Sequence, residues 1–258
     1  MAERLFENKV VIVTGAAQGM GRACARRFAE EGAKLCVADI DTEGVEETAR
    51  VIRDAGGEAF ACHVDVAQEA DNDRMVDETV ARHGGLDVAL INAAMLGEIG
   101  DFFDSTAANF DRVIAVNQRG CYLGLKSVGR VIRREGAVVV MASTAGLLGW
   151  HQNVAYSASK HAVIGLVRST AEAFAAKGVR INAVCPQAVN TRMSGFTDEE
   201  PIIPPADLKM PPFRGRATAQ YAAELVLYLA SSRAAFITGA IHRLDGGAGA
   251  SFHIPDAN

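Results

Sequence analysis

Val10-Val11-Ile12-Val13-Thr14-Gly15-Ala16-Ala17-Gln18-Gly19-Met20-Gly21 joins an apolar run, a glycine-bearing turn and the start of a helical pattern. Four consecutive apolar residues suit a strand covered on both faces, not one that alternates between core and water. The helical period then holds over residues 21–31, and Gly32 stops it at its carboxyl end. Working outward, the same two periods alternate along the whole chain. Strands are predicted at 34–39, 59–66, 86–93, 137–142, 180–185 and 240–244. Helices are predicted at 42–55, about 68–83, from an N-cap at Ser105 to Arg134, at 156–177 and at 218–230. Strands alternating with helices of ten or more residues require right-handed crossovers, hence parallel strands with helices on both faces. The expected fold is α/β, a doubly wound parallel sheet of about seven strands in a single domain over 1–258.

The 258 residues suffice for one full-sized domain and are short for two. Apolar residues at 49% and charged residues at 22% exclude the disordered and fibrous classes. The charge of −5, without a basic run, argues against a nucleic-acid partner. No apolar stretch reaches the roughly 18 residues of a membrane span. The opening residues mix Glu3, Arg4 and Glu7 without the apolar centre of an export signal. Cys24, Cys36, Cys62, Cys121 and Cys185 are scattered with no C-x-x-C pair, so reduced thiols, a cytoplasmic location and no metal site are expected. Five of the seven prolines fall between Thr191 and Ala217, among Met193, Phe196, Ile202, Ile203, Leu208, Met210 and Phe213. So apolar an irregular segment reads as a substrate lid over about 190–217.

Position gives the glycine turn its meaning. Between a strand and a helix, glycines let the backbone approach a pyrophosphate whose charge faces the helix amino end. Asp39 ends the second strand, where an acid can accept both hydroxyls of an adenosine ribose. The same acid opposes a 2′-phosphate: two like charges about 4 Å apart, at an effective dielectric near 20, repel by roughly 4 kcal/mol. Gln18 stands where a basic residue could have met that phosphate, and Asp41 adds charge of the same sign. NAD, not NADP, is the expected cofactor. Tyr156 and Lys160 are four apart at the start of a predicted helix and share one face. A nearby ammonium and an oxidised nicotinamide would together have to supply about 4 kcal/mol to bring a phenol down from about 10 to neutrality. Taken alone, such a pair is commonplace.

It does not stand alone. With Thr14-Gly15-x-x-x-Gly19-x-Gly21, Asp39, Asp65-Val66, Asn92-Ala93, Asn117, Ser143, Pro186 and Asp245-Gly246-Gly247, the chain resembles the short-chain dehydrogenase/reductase family in its compact form, from Lys9 to Gly247. The resemblance implies a Rossmann-like fold and an NAD-dependent oxidoreductase that interconverts a secondary alcohol and a ketone. It implies a homotetramer packed through the helix near 112–133 and the helix carrying Tyr156. Tyr156 would be the general acid/base, and Lys160 would lower its pKa and hold the nicotinamide ribose. Ser143 would bond the reacting oxygen, while Asn117 would interrupt the long helix and hold a water leading from Lys160 to solvent. Cofactor contacts carried over in the same way are Gly15, Gln18, Gly19, Met20 and Gly21 at the turn, and Asp39 and Ile40 at the ribose. Asp65 and Val66 would form the adenine pocket, Asn92 and Ala93 would brace the central sheet, and Pro186, Val189 and Thr191 would lie near the carboxamide.

Two positions depart from the family pattern. Ala94 and Gln187 stand where glycine is usual, and Gln187 would either contact substrate or point to solvent. Substrate contacts are expected from Met95, Leu96, Thr144, Trp150, His151, Gln187 and Met193. That lining favours an alicyclic, aromatic or steroid-like alcohol over a sugar phosphate, while Arg192 leaves an opening for an anionic one. A 3-oxoacyl carrier reductase shares every motif, though it would usually want NADPH. A cofactor-binding regulatory protein would keep the fold without the chemistry.

Overall fold

The computed structural model describes residues 4–196, 202–209 and 215–250. The parts of the expected lid at 197–201 and 210–214 lie outside the described residues, with Pro201, Met210, Pro211, Pro212 and Phe213. Among the described residues there are seven strands: β1 (Val10–Thr14), β2 (Lys34–Asp39), β3 (Glu58–His63), β4 (Leu86–Ile91), β5 (Ile132–Met141), β6 (Arg180–Pro186) and β7 (Ile241–Leu244). They form one sheet, all neighbours parallel, in the order β3-β2-β1-β4-β5-β6-β7. The helices are α1 (Gly19–Glu30), α2 (Thr42–Asp54), α3 (Glu69–His83), α4 (Ala107–Val113), α5 (Gly120–Val131), α6 (Val154–Ala176) and α7 (Ala219–Ala230).

Strand side chains alternate between two cores. Val11, Val13, Leu35, Val37, Leu90 and Val139 pack with α1, α2 and α7. Ile12, Cys36, Ala89, Ile91, Val138 and Val140 pack with α3, α5 and α6. Because both faces are covered, these strands read as unbroken apolar runs. The strand order reverses between β1 and β4, so the crevice where ligands bind in such sheets opens beyond the ends of those two strands.

Differences from the sequence reading lie at element ends. The long helix expected to reach Arg134 with an interruption at Asn117 is three pieces, α4, a turn with π-type hydrogen bonding at Ile114–Arg119 that carries Asn117, and α5, which ends earlier, at Val131. Its cap is Thr106, which accepts from Asn109 N at 3.1 Å, whereas Ser105 Oγ turns back to Phe102 O at 2.6 Å. β5 starts already at Ile132 opposite Leu86, with a register irregularity and Glu135 at a φ of 67°. β3 stops at His63, which leaves Asp65 and Val66 in the following loop. α6 begins at Val154 because Asn153 caps it, accepting from Tyr156 N at 3.1 Å.

The turn after β1 is fixed by close backbone approach. Asn92 Nδ2 donates to Thr14 O at 2.9 Å and Gly15 O at 3.0 Å, and Asn92 N donates to Thr14 Oγ1 at 3.0 Å. A Cβ on Gly15 would come within 2.7 Å of that amide and 2.8 Å of Ala93 Cα. A Cβ on Gly21 would overlap Gly15 O, a backbone atom that cannot step aside. Substituting Gly21→Ala is expected to destabilise the fold by about 3 kcal/mol, measured by chemical denaturation. An unchanged midpoint would show that the turn has slack which these contacts do not reveal.

Candidate active site

A cleft of about 660 Å³ runs along the carboxyl edge of the sheet, and its walls come from the segments after β1, β2, β3, β4, β5 and β6. Gly15, Gln18, Gly19, Met20 and Gly21 line it at the start of α1. Gln18 precedes the first turn of that helix without a side-chain cap, so the helix amino end faces the cleft open to an anion. Asp39 and Ile40 line one end, with Asp65 and Val66 nearby. Asp39 Oδ2 accepts from Ala17 N at 3.0 Å and Oδ1 from Asp41 N at 3.1 Å, which fixes the carboxylate at the lip of β2. Asp65 Oδ1 accepts from Ala67 N at 2.9 Å. Tyr156 and Lys160 line the other end, near Asn92, Ala93 and Met95, with Thr191 and Met193 across from them. An extended pocket with an anion seat in its middle, an acid at one end and a proton donor at the other fits a nicotinamide dinucleotide.

Around Tyr156 the supports are specific. Lys160 Nζ donates to Met141 O at 2.9 Å and lies 5.6 Å from the centre of the Tyr156 ring. Asn117 sits in the π-type turn, donates to Met95 O at 2.9 Å and to Ser159 Oγ at 3.0 Å, and accepts from Met95 N at 2.8 Å. Ser159 Oγ in turn donates to Tyr156 O at 2.7 Å. Asn117 therefore ties the loop after β4 to the turn of α6 that carries the phenol. Ser143 follows β5, half-buried, with its Oγ accepting from Ala145 N at 3.1 Å, and it lies near enough to Tyr156 to favour the ionised phenol.

The remaining expected residues divide. Pro186 and Val189 are buried behind the lining at the end of β6. Trp150 stands outside the lining but sets its ring edge-on to Tyr156 at 6.1 Å. Leu96 and Thr144 are half-buried and not part of the cleft wall, and His151 is exposed. Gln187 is not brought to the cleft: its side chain is exposed and its N–H donates to Leu244 O at 3.1 Å. Its φ is not positive, so no strain attends the missing glycine. Sequence reading does not mark Met141 and Ala142, whose contribution is partly a backbone carbonyl, or Arg112 on α4 and Ala115 and Val116 in the π-type turn, which also line the cleft.

The chain matches the family model described as enoyl-(acyl carrier protein) reductase over residues 15–249. It belongs to the short-chain dehydrogenase/reductase family. Levodione reductase of Leifsonia aquatica is 34% identical over 257 residues, 96% of each chain. The crystal structure of levodione reductase superposes with a TM-score of 0.86, covering 96% of this chain and 100% of that one at 34% identity. Cis-4-hydroxycyclohexanecarboxylate dehydrogenase of Sinomonas cyclohexanicum is 36% identical over 251 residues, 94% of this chain and 97% of its own. The protein is thus an oxidoreductase of a family that uses nicotinamide cofactors and acts on alcohol groups, with a Rossmann-like sheet.

In this short-chain dehydrogenase/reductase, burial works against the acidic phenol that the sequence reading expects from Lys160 and oxidised nicotinamide together. Burial pushes Tyr156 above its ordinary value, and the nearby Ser143 hydroxyl offsets part of that. Burial also brings Lys160 down to about 8, because the ammonium has left water for a site where it is 2% exposed. A lysine lowered in the folded state costs stability, fully below its folded pKa, and the cost fades as pH rises from about 8 toward the unfolded value. That cost is about 3 kcal/mol, less about 1 kcal/mol for the bond to Met141 O. Lys160→Met should therefore be about 2 kcal/mol more stable than the parent at pH 7, the gain shrinking by pH 10, as read from urea midpoints at the two pH values. A variant less stable at pH 7 would mean that the ammonium supports the fold.

Proposed function

We propose that the protein is an NAD-dependent dehydrogenase/reductase that interconverts a secondary alcohol and a ketone on a largely apolar, ring-bearing skeleton. The observation that carries this is a single cleft with Asp39 at one end and the buried Tyr156–Lys160 pair at the other. Asp39 supports NAD through the repulsion of a 2′-phosphate. Met95 and Met193 on the wall, with Trp150 against Tyr156, support an apolar substrate. The name of the cyclohexane-acting relative agrees with a ring.

Bound nicotinamide supplies the hydride acceptor or donor. Tyr156 takes the hydroxyl proton during oxidation and returns it to the ketone oxygen during reduction. Ser143 donates a hydrogen bond to the same oxygen as charge develops there. Lys160 holds positive charge beneath the ring, which favours phenolate, and it loses that charge as pH passes its value near 8. Asn117 holds the loop after β4 at a fixed distance from α6, and so sets the spacing between the cleft wall and the phenol.

A homotetramer and a cytoplasmic location belong to the same proposal. A groove of about 290 Å³ between α5 and α6, walled by Tyr122, Leu125 and Phe174, supports pairing of copies there. Five free, buried thiols support a reducing compartment.

The reading is tested by screening NAD reduction over cyclic and acyclic secondary alcohols. With an active alcohol in hand, Tyr156→Phe should lower kcat by at least about 10²-fold while NADH binding, followed by fluorescence, stays within about twofold. Undiminished turnover would remove Tyr156 from the chemistry. Asp39→Ser should shift the NAD-to-NADP ratio of kcat/KM by about 10²-fold toward NADP, and an unmoved ratio would place cofactor choice elsewhere.

A further inference from the structure

We propose that Arg192 is the counter-ion of the cofactor's pyrophosphate, supplied from the side of the cleft opposite α1. This rests on the dinucleotide reading above and adds a binding residue that none of the sequence motifs marks. Three cations line the cleft: Lys160, Arg112 and Arg192. Two of them are engaged. Lys160 is buried and bonded to Met141 O at 2.9 Å, and Arg112 reaches Glu98 at 3.5 Å and Asn109 Oδ1 at 3.3 Å. The Arg192 guanidinium is exposed and has no hydrogen bond or ion pair among the described residues.

Its neighbours in the chain direct it to the phosphate seat. Thr191 stands over the glycine turn, since a Cβ on Gly19 would come within 3.2 Å of Thr191 Cγ2. Arg192 opens the short turn Arg192–Ser194. That turn is fastened to the end of β6 by other side chains. Ser194 Oγ donates to Val189 O at 2.6 Å, and Arg216 bonds Asn190 Oδ1 at 2.8 Å, Val189 O at 3.2 Å and Ser194 Oγ at 3.0 Å. Arg192 takes no part in this fastening and is left for a ligand.

Charge arithmetic points the same way. Asp39, Asp41 and Asp65 in the cleft carry the same sign as a pyrophosphate. On the α1 side the seat offers only backbone N–H groups and the partial charge of a helix amino end. A full positive charge on the facing wall completes the seat with charge-assisted hydrogen bonds. The anion could also come from a substrate carboxylate, and the experiment separates the two sources.

Arg192→Met and Arg192→Lys are compared with the parent by titration with NADH, and with ADP-ribose and adenosine in competition against NADH. Arg192→Met should weaken NADH and ADP-ribose about tenfold at low salt, leave adenosine unchanged, and be partly rescued by Arg192→Lys. The loss should shrink between about 0.05 M and about 0.3 M salt, as the contact is screened in the parent. Equal affinities of parent and Arg192→Met for NADH and ADP-ribose overturn the proposal. Unchanged cofactor affinity with a raised KM for carboxylated but not uncharged alcohols also overturns it and assigns Arg192 to the substrate. If the parent itself binds no NADH, the dinucleotide reading fails first and the charge assignment falls with it.

Discussion

A positive charge buried at the edge of the sheet is the constraint around which the site is organised. Lys160 is on the second turn of α6, Met141 is the last residue of β5, and the 2.9 Å bond between them is what makes burial of the ammonium tolerable. That bond needs α6 to cross the sheet at a fixed height. The height is set by Asn153 capping the helix and by Asn117 joining the loop after β4 to Ser159. The π-type turn that carries Asn117 is the local irregularity that lets one asparagine bond three groups on two other segments.

The energetic logic runs against stability. An ammonium out of water and a phenolate out of water are both unfavourable, so burial lowers the lysine and raises the phenol. The phenol moves the wrong way for a base. On the proposed mechanism, proton transfer draws on positive charge from Lys160 and from the bound nicotinamide together, which couples cofactor occupancy to acid/base competence. Strained or costly groups concentrated where chemistry occurs, within an otherwise well-packed sheet, are what a functional site is expected to show.

Much of this was legible in the residues because apolar runs and glycines report backbone geometry directly. The strands over Val10–Thr14, Lys34–Asp39 and Arg180–Pro186 match to within a residue the runs the sequence shows at 10–13, 34–39 and 180–185, and both cores follow from their alternation. The start of β5 was not legible, since Ile132-Arg133-Arg134 has no strand pattern and joins the sheet because Ile132 pairs with Leu86 and Arg133 bonds Asp87 at 3.0 Å. The π-type turn leaves no trace in composition, because it differs from an α-helix only in which carbonyl accepts. Gln187 was singled out on the supposition that glycine there served an unusual backbone, whereas the chain passes through that position in an ordinary conformation. The depth of the Tyr156–Lys160 pair was not legible either. A spacing of four shows that two side chains share a face, but not how deeply that face is buried.

Titration of the Tyr156 phenol tests the central claim most directly, using ring-labelled tyrosine observed by NMR, with Tyr156→Phe to assign the resonance. The account predicts a value above the ordinary one in the protein alone, and a fall of at least about two units when oxidised NAD is bound. A phenol already acidic without cofactor, or one that does not move when the cofactor binds, would contradict it.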